Sequence, residues 1–144
     1  MGALVREISI FMPILPKTEL SPNSGERRSR RNPWAIAGAK MEMRADVANC
    51  CLASEDCRAV TEPFERARVS VTMFWHKRQS DGFYRPMDVP NAVYALKPLY
   101  DGLQDAGLLK DDDYLHMELG PHFIKRAEQE GLLVVISEIE EAAS

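Results

Sequence analysis

The nine residues Ala67 to Trp75 alternate in polarity, with Val69, Val71, Met73 and Trp75 on one side and Arg68, Ser70, Thr72 and Phe74 on the other. That period of two is a strand with one face to bury, and it commits the chain to a sheet covered by another layer. A second strand signal, Leu132 to Ile139, contains Leu-Leu-Val-Val-Ile and is apolar on both faces, which places it centrally in that sheet. Val5 to Met12, stopped by Pro13, and Tyr114 to Leu119, stopped by Gly120-Pro121, are the remaining strand candidates.

Two helical segments lie between these strands. Asn32-Pro33 is a helix start, because Asn accepts an orphan amide bond and Pro at the first position loses no intrahelical bond. Trp34, Ala37, Met41, Ala45, Ala48 and Leu52 follow at intervals of three and four, predicting a helix to about Ala53 with those residues as its buried stripe. Further on, Val93, Leu96, Tyr100 and Leu103 repeat with helical period. Pro98 lies inside that run, so the helix either kinks there or has its regular part beginning near Lys97. Gly107 is placed to end it in the left-handed conformation. The expectation is an α+β fold: a single small domain over residues 1–144, with a mixed sheet of about four strands packed by two main helices.

The net charge of −4 is unevenly spread. Residues 1–44 carry eight Lys/Arg against four Asp/Glu, and residues 101–144 carry three against eleven, so a cationic surface can coexist with an acidic total. Within the loop 15–32, Arg27, Arg28, Arg30 and Arg31 put four guanidinium groups in five residues with few compensating acids, which favours phosphate contact over a merely solvated loop. Cys50, Cys51 and Cys57 have neither Cys-x-x-Cys spacing nor bracketing His, and are expected to stay reduced. The apolar run Ile8 to Leu15 is broken by Ser9 and Pro13 and is too short to span a bilayer. A cytoplasmic location is expected, with residues 141–144 as a loose tail.

The chemistry-bearing stretch runs from Arg85 to Asp113. Asp88 and Asn91 flank Val89-Pro90, Lys97 and Asp101 are four apart on one helix face, and Asp111-Asp112-Asp113 follow Gly107. This order resembles the RusA family of phage-type Holliday junction endonucleases, in which an Asp-x-Asp-Asn sequence, a Lys-x-x-x-Asp pair and a terminal Asp-Asp succeed one another. Here Asp88 matches the first acidic position, Asn91 the Asn, Lys97 and Asp101 the pair, and Asp111 and Asp112 the terminal acids. Pro90 stands where the family has its second carboxylate, and the spacing from Asn91 to Lys97 is about three residues longer. Leu20-Ser21-Pro22-Asn23 is similar to the family's N-terminal Pro-and-Asn loop.

The resemblance implies a RusA-like fold and a metal-dependent, structure-selective endonuclease that cleaves branched DNA in recombination and repair, working as a homodimer. It implies Asp88, Asp112 and Lys97 as catalytic residues, and Asp88, Asp111 and Asp112 as ligands of Mg2+, with Mn2+ as the substitute ion. DNA contacts would come from Arg27, Arg28, Arg30, Arg31 and Lys97. Magnesium is held by one or two carboxylates plus substrate phosphate, so acids from separate segments suffice. The alternative is a non-catalytic relative that binds branched DNA and has lost one ligand at Pro90; Asp113 or Asp101 could replace it.

Overall fold

The computed structural model describes residues 6–17, 20, 33–76 and 89–140. Its elements in order are β1 (Glu7–Met12), α1 (Pro33–Ala53), α2 (Glu55–Arg58), β2 (Ala67–Trp75), α3 (Val89–Ala95), α4 (Lys97–Asp105), β3 (Met117–Arg126) and β4 (Gly131–Glu138). The strands form one mixed sheet in the order β1-β4-β2-β3. β4 runs antiparallel to both β1 and β2, while β2 and β3 are parallel. The fold is thus the α+β domain expected from the sequence, with doubly apolar β4 inside the sheet.

One face of the sheet supplies Ile10, Met12, Val69, Val71, Met73, Leu132, Val134 and Ile136 to the core. Ala39, Met43, Val47 and Cys51 of α1, Leu99 and Leu103 of α4, and the connector residues Phe64, Leu108 and Leu109 are among those that pack against it. Fully burying one such large side chain stabilises by about 1.5–3 kcal/mol.

The helix α1 has its expected length but turns the other face inward. Its buried residues are Ala39, Met43, Val47 and Cys51, whereas Trp34, Ala37, Met41, Ala45 and Leu52 are exposed and Ala48 is half-buried. The expected stripe is therefore the outer one. Both faces are apolar, and packing chooses between them: α4 meets α1 at Gly102, where an added Cβ would lie 2.7 Å from Val47 Cβ and 2.8 Å from the Arg44 carbonyl oxygen.

Two further expectations are corrected at β3. The strand begins at Met117 and not at Tyr114, because Asp113 Oδ1 accepts bonds from the Leu115 and His116 amides and folds those residues into a turn. It also runs through Gly120-Pro121, where a break was expected. Between Val69↔Leu119 and Val71↔His122, β3 advances three residues against two on β2, which is a bulge. β3 is an edge strand, where a proline need not donate to a neighbour.

Candidate functional site

The Lys97 region is positioned by a helix break. Leu96, with φ −88° and ψ 4°, separates α3 from α4, and Lys97-Pro98 opens the second helix. Of the two expected outcomes for Pro98, the structure has the fresh start. Proline in the first turn removes only a donor that had no intrahelical acceptor.

At the far end of α4 the chain is reversed by Gly107, at φ +81°. The Gly107 amide donates to the Gln104 carbonyl at 3.0 Å and the Leu108 amide to the Leu103 carbonyl at 3.1 Å, the two bonds of a Schellman cap. Leu108 and Leu109 are thereby driven into the core, and the Phe64 amide bonds the Leu108 carbonyl at 2.9 Å. The next residues, Asp111 to Asp113, emerge just before β3. Their turn is tied to the start of β2 by a 2.9 Å bond from the Ala67 amide to the His116 carbonyl.

Tyr100 anchors the middle of α4 on β3. Its hydroxyl lies 2.9 Å from His122 Nε2, and His122 Nδ1 lies 2.8 Å from the Gly120 carbonyl oxygen. A carbonyl only accepts, so Nδ1 carries the proton, and in the neutral ring Nε2 accepts from the tyrosine. Burial pushes the Tyr100 pKa up, which keeps its hydroxyl protonated and donating.

These anchors bring Lys97, Asp101 and Asp112 together. The Lys97 ammonium donates to Asp101 Oδ1 at 2.9 Å and also contacts Asp112 Oδ2. Burial works to lower the Lys97 pKa, but the hydrogen bonds to Asp112 and Asp101 outweigh it and hold the ammonium above its ordinary value. The bond from Lys97 in turn holds Asp112 below the usual carboxylate range. The Asp112 amide donates to Asp111 Oδ1 at 2.7 Å, so the network continues along the turn.

Beside it, Asp113 Oδ1 lies 2.6 Å from His116 Nδ1, and this bond lowers the Asp113 pKa. One donor atom from each of Asp111, Asp113 and His116 falls within 4.8 Å of the others, so these three could hold a metal ion. The donor set is mixed. Two carboxylates suit Mg2+ or Mn2+, whereas an imidazole favours a transition metal over Mg2+.

Of the residues singled out from sequence, the structure joins Lys97, Asp101, Asp111 and Asp112 in one network. Asp111 belongs to the group that could hold a metal ion, whereas Asp112 faces an ammonium. His116 was missed. Its signal is Asp-x-x-His at the close of the acidic turn, where the side chain folds back onto Asp113. Asp88 and Arg27, Arg28, Arg30 and Arg31 lie outside the described residues, while Pro90 belongs to the first turn of α3. No helix among the described residues is long and apolar enough to cross a membrane. No protein-family model matches the chain, and no curated protein matches it.

Proposed function

We propose that this chain is a RusA-type endonuclease that uses divalent metal to cut branched DNA. The observation that carries the reading is the contact of Lys97 with both Asp101 and Asp112, which unites in space residues 15 apart in sequence. In this reading Asp111, with Asp113 and His116 beside it, holds the ion, and Asp112 stands between that group and Lys97. A bound divalent ion supplies a water ionised near neutral pH and charge stabilisation for the leaving oxygen. Lys97 orients the scissile phosphate as a point charge, a role that requires it to exchange a carboxylate for a phosphate oxygen. The arginines at 27, 28, 30 and 31 add phosphate contacts, and a homodimer in the cytoplasm would make the two cuts a four-way junction requires.

The test is a synthetic four-way junction incubated with the protein and either Mg2+ or Mn2+. Symmetric nicks near the crossover are expected, and Asp112→Asn should reduce them by about 100-fold or more while junction affinity in a gel shift is kept. Junction binding with no cleavage in either ion would replace this reading with the non-catalytic one. Pro90, whose side chain has no oxygen to offer a metal, favours that second reading. Absence of both binding and cleavage would remove both.

The ligand group has its own prediction. His116→Ala should weaken Mn2+ binding, followed by titration calorimetry, by at least about 10-fold, and Mg2+ binding by less. Equal, unchanged affinities for both ions would take His116 out of the site.

A further inference from the structure

The buried residues of the helices share one core cluster with the inward residues of the strands, such as Val69, Val71 and Val134. The strand residues that alternate with these lie on the opposite face of the sheet, and none of their side chains is buried. Three of them are phenyl rings at one end. Phe123 is 52% exposed and Phe11 38%, and Phe74 is half-buried. Register joins them into one band. On β3 and β2, Phe123 pairs with Thr72 and Lys125 with Phe74. Phe74 also pairs with Gly131 of β4, and a Cβ added at Gly131 would lie 2.5 Å from Phe11 Cζ. The Phe11 ring therefore lies over bare backbone beside Phe74.

Charge is sorted along the same face. At the ring end, Lys125 Nζ stands 5.6 Å from the centre of the Phe123 ring, and the next residue, Arg126, has its guanidinium 5.1 Å from that of Trp75. Neither cation has a carboxylate partner among the described residues. The acids of the face, Glu7 and Glu118, lie at the other end, where Ser137 bonds the first and Arg68 the second. Open rings with uncompensated cations beside them fit a ligand that is flat and aromatic in one part and anionic in the next.

We propose that this face binds a single strand of DNA, its bases stacked on Phe123, Phe74 and Phe11 and its phosphates against Lys125 and Arg126. Every base has a π-face, so such a platform tolerates any sequence. A duplex keeps those faces stacked inside itself. The platform is a second site, because Lys97 belongs to the helix layer and the acidic turn to the start of β3, whereas the rings lie on the other face toward the end of β3. The choice of DNA over RNA rests on the branched-DNA reading above; the stacking does not.

The experiment uses the full chain and a fluorescent oligothymidine of about 16 nucleotides, with EDTA in place of divalent ion, read by anisotropy. Binding at least about 10-fold tighter than to a duplex of the same length is expected. Phe123→Ala and Phe123→Leu should each weaken it by at least about 10-fold, the scale of one lost stacked base, and Phe123→Trp should keep it. Leucine is the decisive variant, since it preserves apolar contact and removes only the π-face. Lys125→Ala should flatten the slope of log affinity against log salt by about 0.7, the share of one phosphate in a single strand. Position 123 is exposed on an edge strand, so the variants should fold, and far-UV circular dichroism checks this. Undiminished binding by Phe123→Leu, equal affinity for the duplex, or no binding at all overturns the proposal. So does self-association of the wild-type chain that Phe123→Leu abolishes while oligothymidine affinity is untouched, the result for a second copy on this face. Tighter binding of oligouridine overturns the assignment to DNA. Junction nicking without oligothymidine binding defeats the platform alone, and ring-dependent binding without nicking upholds it while the nuclease reading fails.

Discussion

Gly102→Val is expected to cost more than about 3 kcal/mol of folding stability, above the usual range for an overpacked core. Even the first added carbon would lie 2.7 Å from Val47 Cβ and Cγ1 and 2.8 Å from the Arg44 carbonyl oxygen. The last of these is backbone, so relief requires moving α1 and not just a rotamer. Alanine at this position is the informative control. By intrinsic helix propensity alone, Gly102→Ala should stabilise by about 1 kcal/mol. The steric cost is larger than that gain, so alanine should destabilise by about 1–2 kcal/mol and valine by more. For a chain of this size each kcal/mol lowers Tm by about 2–4 °C, so thermal and urea unfolding both resolve the series. An alanine variant more stable than the parent would mean that α1 and α4 separate freely, and the close crossing would then not fix the depth of α4. That depth matters for the site, because Lys97 and Asp101 are carried on the same helix, whose N-terminal residue is Lys97.

The same crossing explains what the sequence alone left undecided. Strands β2 and β4 are legible because alternation and a doubly apolar run each allow one placement. Helix α1 is legible as a helix from Asn32-Pro33 and its apolar spacing. Its buried face is not, since Met41 and Leu52 on one side match Met43 and Val47 on the other in hydrophobicity. What selects the inner face is Val47 and the Arg44 backbone packing directly on Gly102, a partner 55 positions beyond Val47. The start of β3 was hidden for a local reason: Tyr114 and Leu115 have strand-like side chains, but Asp113 captures the amides that follow. At the site, Lys97 and Asp101 could be paired from their spacing, and the resemblance suggested Asp112. His116 became visible only once the turn placed its ring against Asp113.

Lys97→Met should separate the two roles open to that residue. Methionine keeps most of the stem and removes the charge. As an exposed ion pair with a side chain 57% accessible, Lys97 contributes only about 0–1 kcal/mol to stability. The sign of its pH dependence is fixed by Asp112, whose folded-state pKa is depressed first by the hydrogen bond from Lys97. A depressed carboxylate stabilises the fold above its unfolded pKa, and that contribution is lost as pH falls through the folded value. The small Tm difference between parent and variant should therefore be present at neutral pH and close in acid. Cleavage should respond far more strongly. If Lys97 stabilises charge on the scissile phosphate, its loss should lower kcat by about 10²–10³-fold, the scale for removing one preorganised donor. Divalent-ion affinity should move the other way, since a positive charge is removed from Asp112, the neighbour of the ion-holding Asp111 and Asp113. Slower cleavage with metal binding retained or tightened is thus the signature of a phosphate-facing lysine. A variant with unchanged kcat, differing from the parent only by the small neutral-pH stability loss, would leave Lys97 as an ordinary surface ion pair and would take the central residue out of the proposed site.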